Sequence, residues 1–224
     1  MKARRQAGIL LHPTSLPGPG GIGTFGNALV GFLDFLATAG FSLWQVLPLT
    51  PPAAGNSPYS AYSAFAGNHL MIDLQQLAGE GDLPNRDLEQ TFPLNRVDFE
   101  QVIPWKETLL QQAAGNFFSQ GQTSRLEEFW HFCDTTFWLH DYALFRALKN
   151  HYKDKPWHRW PREIARRQPA AIQQASIKLG PAIGVQKYQQ WQFFRQWHLA
   201  KKAAEERGIE IIGDLPIFVA HDSA

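Results

Sequence analysis

The sequence predicts an α/β fold built on short parallel strands, with a long helical insertion before the third strand. Three observations carry this. Residues 8–47 read strand, helix, strand; the long stretch that follows is dominated by helical periodicity; and IEIIG at 209–213 returns as a strand after Gly208. Strands that alternate with helices pack as a layered sheet. A strand joined to the next through a helix pairs with it in parallel.

The first strand is the apolar run GILL at 8–11, and the Pro- and Gly-rich loop HPTSLPGPGGIGTFG follows it. Asn27 is placed as the cap of a helix in which Leu29, Phe32, Leu33 and Leu36 recur at helical spacing, and Gly40 ends it. FSLWQVL at 41–47 is the second strand, stopped by Pro48. From Thr50 the chain runs through PPAAGNSPYSAYSAFAGNHL with no steady period. A loop of that length inside a compact domain is more often functional than idle.

Residues 69–74 form a short apolar stretch, and 79–104 is turn-rich, with Pro84, Pro93 and Pro104. Ser124 and Glu127 read as a capping box for SRLEEFWHFCDTTFW. In FWLHDYALFRALKNHY, Leu139, Tyr142, Leu144, Phe145 and Leu148 share one broad face. Pro156 and Pro161 break the pattern. A long helix is expected over 186–207, with Tyr188, Trp191, Phe194 and His198 on its stripe. Three strands do not close a barrel, and a (β/α)₈ domain takes about 250 residues. The sheet is therefore either small and open or the front part of something longer.

Composition narrows the class. With 44% hydrophobic and 18% charged residues the chain is globular rather than disordered. The net charge of +1 gives no electrostatic reason to expect nucleic acid or an anionic membrane as partner. The basic start MKARRQ leads into an apolar run too short for an export signal, and no stretch approaches the roughly 20 apolar residues that span a bilayer. The single cysteine, Cys133, cannot form an internal disulfide, which fits a reducing compartment, and a cytoplasmic location is expected. Eight Trp, five Tyr and sixteen Phe are an excess of flat rings. Such rings line sugar or nucleobase sites as well as cores.

Gly18, Gly20 and Gly23 satisfy G-x-G-x-x-G between a strand and a helix. In a dinucleotide site the first glycine turns directly out of the strand, and an acid near the end of the second strand holds the ribose. Here a loop intervenes from His12 to Pro17, and the second strand ends in VLPL without an acid. A nucleotide-dependent enzyme is thus a weak alternative. None of the eight histidines belongs to an H-E-x-x-H or Cys/His cluster, and no metal is expected. Ser57 sits in G-N-S-P-Y rather than a G-x-S-x-G elbow. Cys133, between Phe132 and Asp134 on an apolar helix, is a packed thiol rather than a nucleophile.

Among the acids, Asp73, Asp214 and Asp222 fall in loops beside short strands. Asp214 directly follows the strand at 209–213, where a parallel sheet aims its terminal side chains at the active face. A carboxylate there can accept two sugar hydroxyls through charge-assisted hydrogen bonds, or it can brace its own loop.

Together GILLHPTSLPGPGGIGTFG, LWQVLPLTPP, GNSPYSAYSAFAGNHLMIDL, FWLHDYALFRALK, PWHRWP and GIEIIGDLPIFVAHDSA resemble the amylomaltases, or 4-alpha-glucanotransferases, over nearly the whole chain. The resemblance implies the first strands of a (β/α)₈ TIM barrel with a large, mostly helical subdomain insertion. On that basis residues 1–76 are the first βαβ part of the barrel with its active-face loop, 77–207 the helical insertion, and 208–224 the third barrel strand and the start of its loop. It further implies transfer of α-1,4-glucan segments between maltooligosaccharides by a retaining double displacement, without cofactor or metal.

The resemblance places the nucleophilic aspartate, the acid/base glutamate and the third aspartate on later strands. No catalytic carboxylate is therefore expected in the chain, which is taken as an amino-terminal part, inactive alone. Ser57, Tyr59 and Asp214 match sugar-facing positions of the family. Asn68 and Tyr62 are given loop support, and His12 and Ser15 structural bonding. The glycines then form a tight turn rather than a phosphate cradle. A non-catalytic carbohydrate-binding module is the alternative of another class, and the oligomeric state is left open.

Overall fold

The structure is a computed structural model that describes residues 5–53, 55–93, 95–216 and 218–224, so the first four residues of the basic leader lie outside it. Strand β1 (Gly8–Leu10), helix α1 (Asn27–Thr38) and strand β2 (Leu43–Gln45) form the expected βαβ unit. A two-residue strand, β3 (Ser60–Ala61), lies within the long loop that follows. Then come α2 (Leu74–Gly79), α3 (Phe99–Gln120), α4 (Thr123–Thr135), α5 (Leu139–His151), the short α6 (Arg162–Ala165), α7 (Pro169–Lys178) and α8 (Gly180–Glu205). The chain closes with β4 (Glu210–Ile212) and β5 (Phe218–Val219). It is an α/β fold, mostly helical, with few and parallel strands.

β2 is the centre of the main sheet, paired in parallel with β1 on one side and β4 on the other. Ile9, Trp44 and Ile211 stand abreast on one face. Trp44 is fully buried there, its ring 5.8 Å from Phe32 of α1 and 6.1 Å from Trp197 of α8. Its indole N–H donates to Leu11 O at 2.8 Å, so the one polar atom of the ring is satisfied inside the core. Leu29, Leu33 and Leu36 of α1 are buried in the same core as Phe193 and Trp191 of α8. The other face carries Leu10, Gln45 and Ile212, and there Leu10 is 54% and Ile212 42% exposed. Parallel strands are normally covered on both faces.

α8 is the spine of the molecule. Its Gln190 side chain accepts from Gly67 N (2.7 Å) and donates to Gly67 O (2.9 Å). Gln196 does the same to Asp73 N (2.7 Å) and O (3.1 Å). Two buried amides thus read the backbone of the segment that leaves the long loop. An added Cβ at Gly67 would meet the Phe193 ring at 2.1 Å, so only glycine allows this approach.

Several expected details differ. The α1 cap is Gly26 rather than Asn27, which is the first helical residue, while Gly40 does end the helix at φ +78°. The capping box at Ser124 does not form: Gln122 precedes the helix with no side-chain bond, and α4 already begins at Thr123. α3 starts at Phe99, capped by Asp98 through Gln101 N, and carries Pro104 inside it. The turn-rich stretch therefore ends earlier than the prolines suggested. α8 begins at Gly180, six positions before the expected start, with Pro181 in its first turn, where its missing N–H costs nothing. Asp73 is a helix cap: its Oδ1 accepts from Gln76 N (2.9 Å) and its Oδ2 from the Thr24 hydroxyl (2.7 Å).

Candidate functional site

The loop between β2 and β3 and the loop after β4 both rise from the carboxyl ends of the sheet strands. β3 and β5 join them as a second, two-stranded parallel pair, Ser60 beside Phe218 and Ala61 beside Val219. Tyr59 immediately precedes β3, and Asp214 lies between β4 and β5. The pair brings them together: the Tyr59 hydroxyl donates to Asp214 Oδ2 at 2.9 Å, while Asp214 Oδ1 accepts from Leu215 N at 2.8 Å. Asp214 thus braces its own loop with one oxygen and meets Tyr59 with the other. Each oxygen keeps lone-pair capacity for a further donor.

Tyr59 is 44% exposed, an aromatic residue at the surface whose polar tip is already engaged by Asp214. Its hydroxyl titrates above the ordinary tyrosine value, chiefly because it donates to Asp214, then through desolvation and the carboxylate's charge. Ser57 is exposed in the same turn and its hydroxyl accepts from Tyr59 N at 3.4 Å. Gly55 (φ +90°) and Asn56 (φ +55°) supply the left-handed backbone that turns the chain there.

Behind this loop lies a cavity of about 170 Å³, bordered by His12, Thr14, Thr50, Pro58 and Asn68 among others. His12 Nδ1 is 2.6 Å from the Thr14 hydroxyl and its Nε2 3.3 Å from Pro48 O, so the imidazole ties two strand exits together. Asn68 accepts from Leu70 N at 3.0 Å. The buried Thr50 hydroxyl has no hydrogen-bond partner among the described residues. The glycine turn packs tightly: a Cβ at Gly23 would sit 2.0 Å from Pro13 O, and Gly21 takes φ +71° against Phe92 and Val102. These glycines serve close packing of the loop onto its neighbours.

Two groups that the sequence alone did not single out contact the segments that follow β3 and β5. Lys149 of α5 is buried and donates to Asp222 Oδ2 at 2.6 Å and Asp154 O at 2.7 Å. Arg146, one turn earlier, places its guanidinium 5.1 Å from the centre of the Tyr62 ring. A lysine and an arginine on the apolar face of a predicted helix were the available signal. Cys133 is half-buried, and burial pushes its thiol up to about 11, as suits a packed rather than a reactive group. Among the described residues no group of three or more His, Cys, Asp and Glu is placed to hold a metal ion. None of the helices there is long and apolar enough to cross a membrane.

The family model described as 4-alpha-glucanotransferase matches residues 11–224. The chain belongs to the 4-alpha-glucanotransferase family. It is 45% identical over 225 residues to the 4-alpha-glucanotransferase of Thermus thermophilus and 45% identical over 227 residues to that of Synechocystis. Both alignments take in 100% of this chain and 45% of the relative. The chain therefore spans less than half the length of these 4-alpha-glucanotransferases. Its structure superposes on an amylomaltase from Streptococcus agalactiae, solved in complex with acarbose, with a TM-score of 0.93 and 37% identity, covering 98% of this chain and 45% of that one.

Proposed function

We propose that this chain supplies part of the glucan-binding groove of a 4-alpha-glucanotransferase, and that the whole protein transfers α-1,4-glucan segments from one maltooligosaccharide to another. The observation that carries this is the Tyr59–Asp214 contact across two strand-end loops, in a chain of this family. The three-stranded sheet is then an arc of a (β/α)₈ barrel, its strands 8–10, 43–45 and 210–212 leading into active-face loops. The open face holding Leu10 and Ile212 is the side on which further strands would close. Residues 77–207 are the helical insertion, and the enzyme is placed in the cytoplasm.

In this reading the chemistry is a retaining double displacement. One carboxylate attacks the anomeric carbon as a carboxylic acid protonates the departing glycosidic oxygen, and a sugar hydroxyl then displaces the enzyme carboxylate as its proton passes to the same acid/base group. Those carboxylates belong to the remaining length of the family's chain. This chain's residues bind. Asp214 accepts hydroxyls of a glucose unit, with its rotamer fixed by Leu215 N and Tyr59. Tyr59 offers a ring face to the apolar side of a pyranose, and Ser57 adds a hydroxyl beside it. The acarbose bound by the Streptococcus agalactiae amylomaltase supports an oligosaccharide ligand.

Incubation of residues 1–224 with maltotriose, followed by chromatography, tests this division of labour. The expected result is unchanged maltotriose. Glucose and longer chains would place the reacting carboxylates within this chain and overturn the assignment.

A further inference from the structure

We propose that Lys149, on the helical insertion, is a positioning residue that keeps Tyr59 and Asp214 together by clamping the β3–β5 strand pair from below. This rests on the glucan-binding reading of that pair. The strand pair needs such a clamp. β3 and β5 each contribute two residues, and Phe218 is 76% and Val219 46% exposed. β3 is held on its own side by the fully buried Ala61, but β5 is exposed at both residues, and a two-residue pair with one bare strand is not stable in water by itself.

The anchor lies just past the pair on both strands. Beyond β3, Tyr62 turns its ring onto α5, where Lys149 Nζ is 5.7 Å and Arg146 Cζ 5.1 Å from the ring centre. Beyond β5, the Asp222 carboxylate accepts from Lys149 Nζ at 2.6 Å and from Trp157 N at 2.9 Å. The Trp157 indole N–H donates to His221 O at 2.8 Å, and its ring stacks on His221 at 5.7 Å. The backbones interlock as well, with Ala220 N donating to Ala61 O and Ala224 N to Tyr62 O, both at 2.9 Å. Among the described residues Lys149 is thus the single cation that touches both partners, one through its ring and the other through its carboxylate.

Burial makes the arrangement directional. The Lys149 side chain is 2% exposed and its remaining hydrogen bonds go to Asp154 O and, at 3.4 Å, Lys155 O. A buried ammonium has no water to fall back on, so it holds whichever acceptors face it. With Asp154 O and Lys155 O holding the ammonium in place, its bond to Asp222 fixes the height at which residues 222–224 lie against α5. That height sets the register of β5 against β3, and the register places Asp214 within reach of Tyr59.

The test is a ¹³C-tyrosine NMR titration of the Tyr59 ring, assigned with Y59F, in the wild-type chain, K149M and D222A. Maltotriose affinity is measured by calorimetry on the same samples. In both variants the Tyr59 midpoint is expected to fall back toward about 10, the ordinary tyrosine value, and affinity to fall about tenfold, the worth of one charge-assisted hydrogen bond. A support role limited to the helical core would lower the melting temperature and leave the Tyr59 titration where it is in the wild type, and that result overturns the proposal. If K149M does not fold, D222A decides, since Asp222 is partly exposed and its removal leaves Lys149 its carbonyl partners. If the wild-type chain takes up no maltotriose, the glucan reading fails, and the Tyr59 titration still decides the clamp.

Discussion

The Tyr59 hydroxyl donates a 2.9 Å hydrogen bond to Asp214 Oδ2 and so joins two loops 155 positions apart in the chain. The phenol must be protonated to donate, and a phenolate beside the carboxylate would be repelled. The bond is therefore intact at neutral pH and is lost as pH rises through a Tyr59 midpoint lying above that of a free tyrosine. Asp214→Ala should bring that midpoint back to about 10. Ultraviolet difference titration of the variant against wild type at the phenolate band checks it. An unmoved midpoint would show that Asp214 is not the cause.

Gln190 is expected to be among the most sensitive polar positions. Gln190→Leu leaves Gly67 N–H and C=O buried without partners, at a cost of about 2–4 kcal/mol. Gly67→Ala should be comparably damaging, since its methyl would overlap the Phe193 ring. Urea unfolding of both variants measures the effect. Midpoints close to wild type would mean that α8 does not hold this segment.

Much of this architecture was legible in the chain itself, and the parts that were not share a cause. The βαβ unit, the helices between β2 and β4, and β4 itself each have a strong local pattern, such as the stripe of Leu29, Leu33 and Leu36. Tyr59 and Asp214 were visible through the family's motifs. Their direct contact was not, because β3 and β5 are two residues each and no periodicity marks so short a pair. Gln190 and Gln196 read as ordinary polar helix positions until the backbone they bond is placed against them. Ser124 looked like a cap, but a cap is worth only about 1 kcal/mol, and α4 begins one residue earlier, between the buried and mutually packed Phe117 and Phe129.

Lys106 should give the stability of the chain a distinct pH dependence. It is fully buried, donates to Leu70 O at 2.7 Å, and burial brings its titration down to about 7, partly offset by Asp73. The folded-state value is depressed below the unfolded one, so the unfolded state binds more protons between the two. Stability should therefore rise from about pH 7 toward pH 10, by at most about 4 kcal/mol, and be lost as pH falls through 7. Lys106→Met should flatten this rise. Paired urea melts of the two proteins across that window test it, and parallel curves would refute it.

Cys133 should react slowly. With its thiol pushed up to about 11 by burial, only a minute thiolate fraction exists near neutrality. Alkylation by iodoacetamide at about pH 7.5 is expected to lag an unhindered thiol, with a normal pKa of about 8.5, by on the order of 10²-fold. Labelling at the rate of free cysteine would show an open, activated thiol instead.

The central claim is that Tyr59 and Asp214 act as one glucan-contacting pair, and calorimetric titration of maltotriose into the wild-type chain, Y59F, D214A and the double variant measures it most directly. The expected result is binding by the wild type, a loss of about tenfold in each single variant, and little further loss in the double variant, since either change removes the shared hydrogen bond. Both side chains are solvent-accessible, so the melting temperatures should stay close to wild type. Single and double variants that bind maltotriose as tightly as the wild type would contradict the claim.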